Sequence, residues 1–246
     1  MIAEKRTISL LECFGVWLTA AVAQGLCIVL YSLFTNKPVS LSNVTEVSYF
    51  LQGSLLLLAM LCVLSGIGVD IRAAIRYYAG NFPADFRLAL KYFLVYTGII
   101  AGILLAISLV CFLLIKTGTI APSQFLSFFN KPKEISKEHT YLLEIFRHSP
   151  ARLAIYLFST SILIPAEEEI IFRRLIYVSF RQRFAFTPAL IVSSLIFSAV
   201  HLSGAVPAFA AGIFLGWIYE KRENLQVNML VHGLINLSVT LLICLK

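Results

Sequence analysis

The chain has 246 residues, of which 59% are hydrophobic and 13% charged, and a mean hydropathy of +0.86; a water-soluble domain is typically about half apolar and a quarter charged, so this chain lacks the polar surface to be one. Its net charge of +7 does not point to nucleic acid, because Lys and Arg fall in short clusters between apolar blocks, as membrane topology signals do, with no basic run interleaved with aromatics. The five cysteines, Cys13, Cys27, Cys62, Cys111 and Cys244, lie inside apolar blocks without metal-like spacing and read as small packing residues, not disulfides.

Apolar blocks long enough to cross a bilayer core, which takes about 20 helical residues, predict an all-α polytopic bundle of about seven spans. Lys5 and Arg6 precede the first, Leu10 to Phe34, and no small-residue cleavage site follows it, so it reads as a retained span. The second runs from Ser48 to Val69. From Asp70 to Leu90 the chain mixes aromatics with Arg72, Arg76 and Arg87, and Gly80-Asn81-Phe82-Pro83 predicts a break, giving a short interfacial helix and a loop. The third span is Tyr92 to Ile115. Lys116 to Ser149 is the longest polar stretch, with Phe125, Phe128 and Phe129 as aromatics for the membrane surface.

The fourth helix starts at Pro150, a residue suited to a first turn, and reaches Arg183, with Pro165 expected to kink or interrupt it. Pro188 to His201, Pro207 to Tyr219 and Leu225 to Leu245 are the last three, short and closely linked, so they pack as antiparallel neighbours. Residues 1–149 thus form an N-terminal transmembrane region and 150–246 a four-helix core. The basic residues at span ends favour a cytoplasmic N-terminus.

Ionisable residues inside a span cost about 2.5 to 3.5 kcal/mol on insertion scales, and so imply a function or a partner. They are concentrated in the core. The fourth helix carries Glu167-Glu168-Glu169 and Arg173-Arg174, the fifth ends in Phe197-Ser198-Ala199-Val200-His201, and the seventh holds His232-Gly233-Leu234-Ile235-Asn236. Glu169 and Arg173 are i,i+4 with the acid first, so they share a face and can pair. Glu168 is turned about 100° from Glu169 and can face elsewhere. His232 and Asn236 again share one stripe.

Depth brings these side chains together. Glu168 to Arg183 spans about 22 Å of helix and Pro188 to His201 about 20 Å. Joined by a turn near 181–187, the two helices place Glu168 and His201 at one level, and His232 and Asn236 lie roughly 10 to 17 Å in from Leu225. Such a pocket suits amide hydrolysis. A carboxylate beside a histidine can hold a water and take its proton, while a second histidine and an asparagine amide can donate to the developing oxyanion. A Glu/His/His set is equally a donor set for Zn²⁺, and spacing leaves both mechanisms open.

Glu168-Glu169-x-x-x-Arg173, Phe197-x-x-x-His201 and His232-x-x-x-Asn236 resemble, in this order on separate apolar helices, the three motifs of the CPBP family (also called Abi) of CAAX-processing and bacteriocin-processing intramembrane endopeptidases. Phe209-x-x-Gly212-x-x-x-Gly216-x-x-Tyr219 is similar to the family's linking helix. The resemblance covers about residues 150–245 and implies that Glu168 and His201 activate the water, that His232 and Asn236 stabilise the oxyanion, and that Glu169 and Arg173 support the site. Arg174 departs from the pattern, where members often carry glycine. No bound cofactor is expected, with zinc as the alternative. The implied partners are the lipid bilayer and a membrane-associated peptide or protein substrate, with no nucleic acid, and the implied location is a bacterial inner membrane.

Buried Glu/His chains also mark transporters and proton relays. Many transporters show repeated halves, and no repeat relates residues 1–149 to 150–246. An inactive relative serving as an immunity or scaffold protein is the third reading, and the complete motif set speaks against it.

Overall fold

A computed structural model of the chain describes residues 9–35, 46–123, 137–201 and 204–244. Every regular element among them is helical: α1, Leu10–Thr35; α2, Glu46–Gly66; α3, Ile71–Lys116; α4, Lys137–His148; α5, residues 150–181; α6, Phe186–Ala199; α7, Ala205–Arg222; and α8, Leu225–Cys244. Three of them, α2, α3 and α8, are long and apolar enough to cross a membrane on length and composition. The protein is an all-α membrane helix bundle.

The expected break at Gly80-Asn81-Phe82-Pro83 is absent: α3 is one helix of 46 residues with Pro83 inside it. Asp70 caps it, accepting from the Ala73 amide at 2.9 Å. Proline forfeits one helical N–H bond and crowds the carbonyl four residues back, yet tertiary contacts hold both sides of it. Buried Ala74 precedes it and buried Asp85, Ala89 and Tyr92 follow. Asn224 Nδ2 donates to Asp85 Oδ1 at 3.0 Å, and the Gln226 amide donates to Asp85 Oδ2 at 2.7 Å and to the Tyr78 carbonyl at 3.0 Å. The start of α8 thus pins α3 on either side of the proline.

The polar stretch before Pro150 contains a helix that composition alone did not indicate. In α4, Leu142 and Ile145 are buried against Tyr156 of α5, with Tyr49 and Ile243 packed beside them. Phe125, Phe128 and Phe129 lie outside the described residues.

In α5, Pro165 causes neither an interruption nor a loop. The helix continues through two widened stretches of π form, Ser159–Leu163 and Ile170–Tyr177, and backbone angles stay right-handed helical at Ser159, Ile164, Ile170 and Val178. Pro165 cannot donate to the Ser161 carbonyl one turn earlier, and the backbone at Gly233 of α8 lies against that oxygen. A widened turn in this position is a frequent companion of functional sites.

The main apolar cluster lies where α2, α5 and α6 meet, with Leu56, Met60, Phe172, Leu175, Ala189, Leu190 and Phe197 buried in it. A second joins Ala89 and Tyr92 of α3 to Leu215 and Ile218 of α7 and to Val227 and Val231 of α8. Together they enclose the middle of α5, where the carboxylates sit.

Candidate functional site

The site is built by three helices that expose polar atoms to one another inside the bundle. On α5, Glu169 and Arg173 are both fully buried, and Arg173 Nε donates to Glu169 Oε2 at 2.9 Å. A carboxylate in such a place needs its charge matched and its lone pairs filled. Two residues of α8 supply the remaining contacts. His232 Nδ1 lies 2.9 Å from Glu169 Oε1, and Asn228 Nδ2 donates to Glu169 Oε2 at 3.1 Å and to the Leu215 carbonyl of α7 at 2.7 Å.

That contact decides how His232 faces. With Nδ1 turned to Glu169, Nε2 points toward Glu168 and lies 3.6 Å from its Oε2. His201 is held in a parallel way. It follows the end of α6, and its Nδ1 lies 2.7 Å from the Phe197 carbonyl, which leaves Nε2 facing Glu168 Oε1 at 3.7 Å. Hydrogen bonds to N–H···O acceptors run at about 2.7 to 3.2 Å, so neither histidine is directly bonded to Glu168. Gaps of this size around a carboxylate fit a shared water.

Phe197 ties the assembly together. Its ring is 4.5 Å from that of His201 and 5.8 Å from that of His232, it meets Phe172 edge-on at 4.9 Å, and the Arg173 guanidinium lies over it at 5.1 Å. Such a cation–ring contact is favourable for a desolvated guanidinium, whose two terminal nitrogens have no hydrogen-bond partner among the described residues. Side-chain exposure falls from 33% at His201 through 17% at Glu168 to 5% at His232. The network is therefore most accessible at His201 and closed at His232.

The structure thus brings Glu168, Glu169, Arg173, His201 and His232 into one network. Asn236 lies a turn farther along α8, where its Nδ2 donates to the Thr160 carbonyl at 2.9 Å, in the first widened turn of α5. Asn228 is the residue that motif reading missed. A polar side chain one turn ahead of His232 in an apolar span was the available signal.

Glu168, His201 and His232 are the donors this site offers to a metal. Among the described residues no group of three or more His, Cys, Asp or Glu side chains is gathered closely enough to hold one. Cys62, Cys111 and Cys244 are free thiols, and none of them belongs to the network.

Two comparisons with known proteins bear on this arrangement. The UPF0177 protein YxdF of Lactococcus lactis subsp. lactis (strain IL1403) is 30% identical over 79 residues, which cover 31% of this chain and 43% of that protein. No solved structure matches. Residues 150–238, which carry the whole network, match the family model described as "Type II CAAX prenyl endopeptidase Rce1-like", and this part of the chain is therefore similar to that family, as its three motifs led us to expect.

Proposed function

We propose that the protein is an intramembrane endopeptidase that hydrolyses a peptide bond of a membrane-associated protein or peptide. The observation that carries this reading is the placement of both histidine Nε2 atoms around Glu168, at 3.6 and 3.7 Å, inside an all-helical membrane bundle.

A water between Glu168 and His201 gives up its proton to the carboxylate as its oxygen attacks the scissile carbonyl carbon. Glu168 then returns that proton to the leaving amine. His232, held through Nδ1 by Glu169, turns Nε2 toward the oxyanion, and the Asn236 amide, which also donates to the Thr160 carbonyl, is the amide donor in this reading. Glu169 holds His232 in orientation, and Arg173 in turn balances the charge of Glu169. Exclusion of bulk water strengthens each of these interactions. In this reading residues 150–246 form the catalytic unit and residues 1–149 an N-terminal transmembrane region, in a bacterial inner membrane with the N-terminus cytoplasmic.

The deciding test is Glu168→Gln, which keeps the shape of the side chain and removes the base. Purified variant protein should accumulate and melt like the wild type, with peptide cleavage lowered by at least about 10²-fold, the lower range for general-base loss. Near-normal cleavage by the variant would remove the proposed mechanism.

A further inference from the structure

The N-terminal half of α3 carries four basic residues, Arg72, Arg76, Arg87 and Lys91, all exposed. At about 100° per residue they fall within a sector of roughly 100°. The residues that α3 buries, Ala74, Asp85, Ala89 and Tyr92, lie on the opposite side. Asp85 is engaged by Asn224 and Gln226 and is turned away from the basic sector. None of the four cations has an acidic partner among the described residues.

Two of the four differ from the others in what lies beneath them. Arg87 and Lys91, one turn apart, stand at the head of an open surface depression continued by Leu90, Leu94 and Val95. The i,i+4 row of Arg87, Lys91 and Val95 and the row of Leu90 and Leu94 are adjacent ridges of one helix, and the depression runs between them. From Lys91 onward α3 is apolar as far as Lys116, so Lys91 marks the membrane–water boundary. Tyr92, its neighbour, accepts from Arg222 Nε at 2.7 Å and meets Trp217 edge-on, as aromatic residues do at that level.

We propose that Arg87 and Lys91 form a binding site for an anionic phospholipid, with the phosphate between the two cations and an acyl chain along Leu90, Leu94 and Val95. Unpaired charges at the boundary call for an anion, and the apolar ridges directly below call for a chain attached to it. A lipid supplies both. This site is separate from the Glu168 pocket and does not depend on what that pocket does.

The test is lipid retention by the full chain, purified in neutral detergent, incubated with phosphatidylglycerol or phosphatidylcholine and weighed by native mass spectrometry. Wild-type protein should retain phosphatidylglycerol in preference to phosphatidylcholine. The double variant Arg87→Gln/Lys91→Gln should lower retention about tenfold or more, whereas Arg72→Gln/Arg76→Gln should stay close to wild type. The charge-keeping pair Arg87→Lys/Lys91→Arg should retain the lipid, which separates lost binding from lost folding. Equal retention of the two lipids, an equal loss in the Arg72/Arg76 variant, or full displacement by inorganic phosphate would each overturn the proposal.

Discussion

Glu169 is the most heavily engaged side chain of the site, with Arg173, Asn228 and His232 all on its two oxygens. Removing a partner from a buried ion pair typically costs about 3 to 5 kcal/mol. Arg173→Ala should therefore melt at a markedly lower temperature, or accumulate less, than Glu168→Gln does. Equal melting of the two would show that the pair bears no structural weight. Asn228→Ala should cost about 1 to 3 kcal/mol, since it takes a donor from the buried Glu169 carboxylate and a second donor from the Leu215 carbonyl, and should lower turnover by loosening His232. Wild-type melting would refute the first effect, and unchanged turnover the second. The metal-free reading has its own check at this scale. Elemental analysis of active enzyme should find no stoichiometric zinc, and exhaustive chelation should leave cleavage intact; activity lost on chelation and regained with zinc would make Glu168, His201 and His232 ligands.

Close helix approach at the site depends on glycine in α8. A Cβ added at Gly233 would run into the carbonyl oxygen of Ser161, which belongs to the backbone and cannot rotate away. Gly98 of α3 has nothing within 4 Å of the same position. Gly233→Ala should push α8 off α5, lower the melting temperature clearly and weaken cleavage through His232. Gly98→Ala should be neutral, or stabilising by up to about 1 kcal/mol from helix propensity. Thermal melting of the two purified variants compares them directly, and matched curves would contradict the close contact. Gly212-x-x-x-Gly216 also has close neighbours, Ser194 and the tip of the Leu190 side chain of α6, whereas the same pattern at Gly98 and Gly102 meets no neighbour within 4 Å. A small-residue pattern permits a close approach, and only packing shows which one is used.

Outside the central network, two further groups of polar contacts join the described helices, one near each end of α5. At one, Arg152 bridges to Glu46 at 2.9 Å and to the Tyr141 hydroxyl at 3.4 Å, joining α2, α4 and α5. At the other, Arg181 Nε and the Tyr177 hydroxyl donate to Glu220 at 3.0 and 2.6 Å, and Arg222 reaches Tyr92. The second of these ends holds Arg72, Arg76, Arg87, Lys91, Arg181, Arg183, Lys221 and Arg222, and in the proposed orientation, which the positive-inside tendency favours, it faces the cytoplasm. In a cysteine-free background, a membrane-impermeant thiol reagent applied to intact spheroplasts should label Thr119→Cys, and should label Gln182→Cys only after permeabilisation. The reverse pattern would invert the orientation.

Most of the helices were legible from the sequence because a bilayer imposes a length on apolar segments and leaves the backbone few alternatives. The sites of Glu168, His201 and His232 were legible for a related reason: polar groups in a span are costly, so the few that are present stand out. What the sequence misjudged followed from neighbours. Pro83 read as a break because local rules end helices at proline, whereas packing against α8 carries α3 through; at Pro165, where a kink or an interruption was expected, the helix continues with widened turns on either side. The helix α4 was hidden in a polar stretch because its two core residues, Leu142 and Ile145, are covered by Tyr156 of the next helix and by Tyr49 and Ile243 from distant parts of the chain. Asn228 belonged to no motif, and its role became visible only when α8 placed it beside Glu169 and the Leu215 carbonyl. Composition and spacing thus determined the membrane bundle and the depth of its charged groups. Tertiary structure decided which lone pairs meet, because hydrogen bonds depend on distances of a few tenths of an ångström that no periodicity specifies.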